Sequence, residues 1–200
     1  MLRMMPDKVV ALVLAGGGAR RMGGQDKPLL QLAGVPMLAR IVATLRSDGH
    51  PVAISANDDP ARFADFHLPV LPDGAFRGEG PLGGVLAGLD WAATLGADAL
   101  LTVPGDTPFV PAGLAAALAP APACAASNGR THHLVALWPL AGRDRLRRLL
   151  SVPGRRDIAG FAAGIGMRQV DFAVAKWDPF LNVNTPEDLA LARAIAEDET

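Results

Sequence analysis

The chain contains a single cysteine, Cys124, in 200 residues. A lone thiol excludes an intrachain disulfide, and the apolar stretch around it (residues 121–126) reads as a small core position rather than a nucleophile. No cysteine and histidine spacing suggests zinc. His132 and His133 have no third ligand within sequence reach, so they read as loop or substrate-channel residues. No Ser/His/Asp triad and no internal repeat is apparent. Net charge is −1, which gives no signal for nucleic acid or a membrane surface. No uninterrupted apolar run is long enough to span a bilayer. Residues 1–8 carry no long apolar region, so no signal peptide is expected and a cytoplasmic protein is the default.

What is present is half hydrophobic and one-fifth charged, the balance of a folded globular chain. Its length suits one domain with a sizeable core. Arginines 143, 145, 147, 148, 155 and 156 form a basic cluster late in the chain.

Residues 14–27 read Leu-Ala-Gly-Gly-Gly-Ala-Arg-Arg-Met-Gly-Gly-Gln-Asp-Lys, directly after the apolar run Val9–Leu14. Glycines let backbone N–H groups approach an anion, and the arginines and lysine neutralise it, so a polyphosphate is the natural guest. Two common phosphate loops fail here. Gly18 and Gly23 have P-loop spacing, but Gly24 and Gln25 stand where Lys and Ser/Thr are required. Gly16 and Gly18 begin a dinucleotide fingerprint, but Arg21 stands where its last glycine belongs.

The rest alternates strands and helices. Strands are expected at residues 9–14, 52–55, 68–71, 99–103 and 134–138, with an edge strand at 169–172. A helix starts at Pro36 and stops at Gly49. Residues 78–84 form a second glycine-rich loop before a helix through Leu89, ending at Gly96. Pro111 starts a short alanine-rich helix, and residues 143–150 form a basic amphipathic one. Residues 119–126 read as a connector. The last helix has Thr185 as N-cap, Pro186 at its first position and Asp188 at its third. This alternation predicts an α/β, single Rossmann-like three-layer domain, with a mostly parallel sheet and helices on both faces. Trp138, Trp91 and Phe109 read as core.

Ligands of open α/β sheets bind beyond the carboxyl ends of strands. Asp73 follows the strand at 68–71, and Asp106 follows the one at 99–103, so both converge on the glycine loop. Asp106 is either a turn residue or a metal ligand on position alone. Asp73 is either part of a Pro-Asp-Gly turn or a nucleotide contact.

The loop closely resembles the signature of the molybdenum cofactor guanylyltransferases, L-A-G-G-x-x-x-R-M-G-G-x-D-K, here Leu14-Ala15-Gly16-Gly17, Arg21-Met22-Gly23-Gly24 and Asp26-Lys27. The resemblance runs along nearly the whole chain. Residues 80–84 are similar to the family's G-P-L-x-G, Asp106-Thr107-Pro108 to its D-T-P, and residues 182–188 to its N-x-N-T-P-E-[DE]. Ser55-Ala56-Asn57 departs from the family's N-A-N at its first position.

The resemblance implies a nucleotide-diphospho-sugar transferase type of fold over residues 1–200, with a GTP-binding half at 9–110 and a pterin-acceptor half at 111–200. It implies transfer of GMP from GTP to the terminal phosphate of molybdopterin, with Mg²⁺ as cofactor. By this register Lys27, Arg21 and Asp106 are catalytic and Asp106 binds the metal. Leu14, Ala15, Gly16, Gly17, Gly23, Lys27, Asn57, Asp73 and Asp106 bind GTP. Gly83, Arg155, Arg156, Asn182 and Asn184 face the pterin acceptor, and Trp177 is a candidate pterin or lid contact. Molybdopterin-delivering or molybdoenzyme-maturation proteins are the implied protein partners, and a monomer is expected. Cytidylyltransferases for the same pterin tend to read L-A-A-G here. The extra glycine favours guanine, with Gly17 expected to bear most on the choice of base.

Overall fold

Along β1 (Val9–Leu14) successive side chains point to opposite faces of a sheet, and both faces are covered. Val9, Ala11 and Val13 pack into one apolar layer, while Val10 and Leu12 pack into another. This explains the uninterrupted hydrophobic run: a strand buried on both sides shows no polar alternation. The computed structural model describes residues 8–16, 26–154 and 157–199.

After β1 come a small hairpin, β2 (Gln31–Leu32) and β3 (Val35–Pro36), then α1 (Met37–Ser47) and β4 (Val52–Ser55). β5 (Val70–Leu71), α2 (Pro81–Thr94) and β6 (Ala99–Pro104) follow. The chain continues through α3 (Leu114–Leu118), β7 (Ala123–Ser127), β8 (Arg130–Pro139), α4 (Arg143–Ser151), α5 (Ile158–Gly164), β9 (Arg168–Asp171) and α6 (Pro186–Asp198). The seven strands of the main sheet lie in the order β5-β4-β1-β6-β8-β7-β9. β1 pairs in parallel with β4 and β6, β4 with β5, and β7 with β9. β8 runs antiparallel to both β6 and β7. The sheet is therefore mixed but mostly parallel, a three-layer α/β architecture as expected.

The layer on one face holds Leu38, Ile41, Val42 and Leu45 of α1 with Leu114 and Leu118 of α3. The other face holds Leu82, Val85, Leu86 and Leu89 of α2, Leu146 and Leu150 of α4, and Phe161 of α5. Gly88 lets α2 approach closely, because a Cβ there would stand 2.6 Å from Leu12 Cδ2 and 2.7 Å from Leu100 Cδ2. A third cluster joins α6 to the hairpin and the start of α1 through Leu32, Met37, Ala192, Ile195 and Ala196. Trp177 packs against this cluster. Trp138 is fully buried, and its indole N–H donates to Thr102 Oγ1 at 2.8 Å. Phe109 is also buried, and Trp91 packs half-buried against the α2 layer.

Several expectations are corrected. Residues 119–126 are not merely a connector, because β7 (Ala123–Ser127) lies between β8 and β9 and is buried along its whole length. Alanine's weak strand preference is overridden by a position covered on both faces, where only small side chains fit. Pro111 does not start α3: the helix begins at Leu114, after Gly113 with φ 71°. The helix after the second glycine loop begins earlier than expected, with Pro81 at its first position. β8 extends back to Arg130, so His132 and His133 are strand residues rather than loop residues. The β2/β3 hairpin and α5 had no expectation. The hairpin turns on Ala33 (φ 46°) and Gly34 (φ 76°), and α5 is capped by Asp157, whose carboxylate accepts from Ala159 and Gly160 N–H.

The C-terminal helix is capped as expected. Thr185 Oγ1 accepts from Asp188 N–H at 3.1 Å, and the Asp188 carboxylate accepts from the N–H groups of Thr185 and Asn184, each at 2.9 Å. Burial by itself pushes the Asp188 carboxyl up. The hydrogen bonds from Asn184 and Thr185 and the Lys27 charge outweigh it, holding the group below its ordinary value. A lowered folded-state value makes this contribution complete above the ordinary carboxylate range, and it is lost as pH falls through the lowered value. Thr185→Ala is expected to cost about 1 kcal/mol, read as a shift of the urea midpoint at neutral pH. An unchanged midpoint contradicts the capping assignment.

Candidate functional site

The chain order creates a switch point in the sheet. From β1 it moves out to β4 and β5, then returns to place β6 on the other side of β1. The carboxyl ends of β1 and β6 therefore diverge into a crevice where ligands of open α/β sheets bind. Gly105 follows β6, and its N–H donates to Leu14 O at 2.9 Å. A Cβ there would stand 3.3 Å from both Leu14 O and Pro28 Cγ. Gly105 thus lets the turn to Asp106 lie against the end of β1.

A cavity of about 480 Å³ opens at this point. Leu14, Gly16, Asn57, Asp73, Asp106 and Asn182, all expected on the site, line it together. Three were legible as strand ends: Asn57 after β4, Asp73 after β5 and Asp106 after β6. Because β8 is antiparallel to β6, its early part reaches the same end of the sheet and contributes Leu134.

One wall carries Asp106 and Asn182 and is braced by Lys27. The lysine ammonium donates to Asp106 Oδ2 at 2.5 Å and to Asn184 Oδ1 at 2.7 Å. Asn184 Nδ2 donates to Asn182 Oδ1 at 2.6 Å, so the two alternating asparagines do share a side. Val183 N–H donates to Asp106 O at 2.9 Å, which docks this segment beside the β6 turn. Asp106 Oδ1 is buried and has no hydrogen-bond partner among the described residues. Such an orphaned carboxylate oxygen suits a hard cation that brings further oxygen ligands with it. Among the described residues no group of three His, Cys, Asp or Glu side chains is placed to hold a metal alone.

The opposite wall centres on Asp73. Asn57 grips it twice: Nδ2 donates to Asp73 Oδ2 at 2.7 Å, and Oδ1 accepts from Asp73 N–H at 2.8 Å. Ser55 Oγ, standing where the family's first asparagine stands, is 3.5 Å from Asp73 Oδ1. Gly83 lies directly beneath, because a Cβ there would be 2.9 Å from Phe76 O and 3.0 Å from Asp73 Oδ2. Its N–H donates to Gly80 O at 3.2 Å. Gly83 therefore makes room for Asp73, and its amide is paired within the turn. Ala15 buries its methyl in the core and pairs its N–H with Ser55 O at 2.9 Å.

Gly17, Arg21, Gly23, Arg155 and Arg156 lie outside the described residues. Set against L-A-A-G, the glycine that differs is Gly16, which lines the cavity. A Cβ there would stand 3.6 Å from Ala56 Cα and 3.9 Å from Asn57 Nδ2, ordinary contact distances beside the Asp73 wall.

Residues 11–166 match the family of the MobA-like NTP transferase domain. A molybdenum cofactor guanylyltransferase from Acidiphilium cryptum (strain JF-5) is 58% identical over 184 residues, covering 92% of this chain and 93% of that protein. The chain belongs to the molybdenum cofactor guanylyltransferase family. It is a nucleotidyltransferase enzyme of molybdenum cofactor biosynthesis. A second member, from Rhodopseudomonas palustris (strain BisB5), is 47% identical over 195 residues and covers 93% of each chain. The fold is shared with molybdopterin-guanine dinucleotide biosynthesis protein A from Archaeoglobus fulgidus (TM-score 0.73, 21% identity, 95% of this chain and 99% of that one). It is shared also with CMP:2-keto-3-deoxy-manno-octonic acid synthetase complexed with CTP (TM-score 0.72, 18% identity, 97% and 100%).

Other cavity residues of this family member had weaker sequence signals. Gly78 and Gly80 of the second glycine loop, and Pro81 and Gly84 in the first turn of α2, line the cavity with Asp73. Gly84 brings α2 against the sheet, since a Cβ there would stand 2.5 Å from Ser55 Oγ. His132 is bonded within a polar chain on β7 and β8. Its Nε2 lies 2.8 Å from Ser127 Oγ, which in turn donates to the Asp178 carboxylate at 2.8 Å. Ser127 has one proton and gives it to Asp178, so His132 Nε2 must donate to the hydroxyl. Burial lowers the His132 value; the Asp178 charge acts in the opposite direction. Burial also pushes the Cys124 thiol up, consistent with an inert core position. No helix among the described residues is long and apolar enough to cross a membrane.

Proposed function

We propose that the chain transfers GMP from GTP to the terminal phosphate of molybdopterin. An oxygen of that phosphate attacks the α-phosphorus of GTP, the bond from the α-phosphorus to the β-phosphate bridging oxygen breaks, and pyrophosphate leaves. The observation that carries this reading is the single cavity with two differently built walls. Asp106 and Asn182 form one wall, and Lys27 and Asn184 are hydrogen-bonded to them from beside the cavity, which makes this the charged side for phosphates. The Asn57–Asp73 pair forms a rigid polar wall for a base. A volume of about 480 Å³ is in the range of nucleotide-sized pockets.

The attacking phosphate is already ionised near pH 7, so no strong general base is needed. Positioning and charge stabilisation carry the reaction, as in phosphoryl transfer generally. Lys27 and Arg21 offset the charge that develops at the α-phosphate and on departing pyrophosphate. The family works with a divalent metal. Asp106 fits Mg²⁺ through its orphaned Oδ1, with Asn182 and Asn184 beside it; when bound, the ion supplies neutralising charge to the phosphates. Residues 9–110 are assigned as the GTP-binding half and residues 111–200 as the acceptor half, with Arg155 and Arg156 assigned to the pterin by the family resemblance.

Asp73 recognises guanine in this reading. A carboxylate accepts from N1–H and N2–H₂ together, whereas an amide presents only one oxygen. Asp73→Asn is expected to lose about 1.5–3 kcal/mol of nucleotide recognition, roughly ten- to hundredfold in kcat/KM for GTP. The deciding assay is pyrophosphate release with Mg²⁺ and each nucleoside triphosphate, with and without pterin. Release that needs both GTP and pterin supports the proposal. Release with CTP instead makes the chain a cytidylyltransferase, and no release with any donor overturns the reading.

A further inference from the structure

The glycine-rich segment is held at its two described ends by a side chain that no motif contains. Arg62 lies in the 3₁₀ segment Pro60–Phe66, after β4. Its Nη1 donates to Asp26 Oδ2 at 2.7 Å, and its Nη2 donates to the Ala15 carbonyl at 3.2 Å. Ala15 directly follows β1, and Asp26 directly precedes Lys27. One planar guanidinium therefore joins the exit of the strand to the approach of the lysine.

Three observations show that this contact is built into the fold. Asp26 flanks the short 3₁₀ turn Lys27–Leu29, where an aspartate ordinarily caps the turn, yet its side chain makes no cap hydrogen bond. It is turned to Arg62 instead. The guanidinium is itself fixed, with Cζ 4.4 Å from the ring centroid of Phe63, a core residue. The two side chains are only 20% and 22% exposed, so water and salt screen the pair less than a surface ion pair.

We propose that Arg62 is a positioning residue. By tying Ala15 to Asp26 it sets where Lys27 starts from, and so holds the ammonium within reach of Asp106, Asn184 and the transferring phosphate. The role in turnover rests on the function proposed above for Lys27; the tie itself does not. A fork is required, because a lysine at this position carries the charge on one nitrogen with freely rotating donors, whereas the guanidinium reaches the two acceptors from two nitrogens held rigidly in one plane.

Arg62→Ala and Arg62→Lys test the idea on the whole protein. Hydrogen exchange of the ligand-free protein is followed at residues 26–30 and 15–16, and steady-state pyrophosphate release is measured in parallel. Both variants are expected to exchange faster at these two stretches, with β4 and β6 unchanged. Both are expected to lose about ten- to hundredfold in kcat, the cost of a misplaced catalytic group, with a smaller change in KM for GTP. Unchanged exchange in Arg62→Ala overturns the tie. Faster exchange with unaltered kcat overturns the positioning role. An Arg62→Lys protein that matches wild type in both overturns the need for the fork. If the wild-type protein transfers no nucleotide, the proposed function fails, while the exchange arm still decides the tie.

Discussion

Lys27→Ala is expected to lower kcat for guanylyl transfer by about a thousandfold or more while the protein remains folded. The estimate follows from what removal of a charge-stabilising group costs in comparable reactions. The fold does not depend on this side chain. The turn after β6 is held by backbone bonds, Gly105 N–H to Leu14 O at 2.9 Å and Val183 N–H to Asp106 O at 2.9 Å. Both survive the substitution, so a normal thermal transition should accompany the lost turnover.

The same variant makes a second, opposite prediction. In the structure the ammonium lies 2.5 Å from Asp106 Oδ2 and occupies one of the two oxygens of the carboxylate. Under the proposed function, the ammonium on Oδ2 and a divalent cation on Oδ1 would repel each other across one carboxylate, which sets them in competition for its charge. Lys27→Ala should bind Mn²⁺ or Mg²⁺ more tightly than wild type in the absence of nucleotide, as read by calorimetry or Mn²⁺ resonance titration. General damage to the site would weaken metal binding and turnover together. Wild-type turnover would remove Lys27 from the chemistry, and unchanged metal affinity would remove the competition.

How far the site was legible depends on the distance over which its contacts act. β1 was readable because a strand covered on both faces is a plain apolar run, and Asp73 and Asp106 because strand ends are where such sheets bind ligands. The α6 cap was readable because its partners are three residues apart. β7 was not, since its alanines and Cys124 signal nothing until β8 and β9 cover them and prolines 120 and 122 suggest a connector. Arg62 was not legible either. Its partners lie 36 and 47 residues away, and nothing beside it in sequence distinguishes it from a solvated arginine. Lys27 and Asn184 meet across 157 residues, so the resemblance could place both on the site but not in contact. The role of Gly83 needed coordinates too, because the atom it makes room for belongs to Asp73, ten residues earlier in the chain.

Asp106→Asn should separate the charge of this residue from its shape. Asparagine has nearly the same volume and can still offer Lys27 a carbonyl oxygen, and the backbone oxygen of residue 106 still accepts from Val183 N–H. The asparagine segment therefore stays docked. What disappears is the negative charge that recommends Asp106 as a cation ligand and the orphaned Oδ1 that has no partner among the described residues. Turnover should fall by about 10²–10³-fold, the scale of losing one electrostatic stabiliser, and the Mg²⁺ concentration for half-maximal rate should rise. Chelation should stop the wild-type protein reversibly, with activity restored by added Mg²⁺. Dependence on Mg²⁺ that is identical in Asp106→Asn and wild type would mean that the ion sits elsewhere. A variant that loses its thermal transition would mean that the carboxylate serves the fold rather than the reaction. The predicted combination, an intact transition with a shifted metal requirement, is the one that makes Asp106 a metal-binding residue and leaves the Lys27 pair as its resting-state partner.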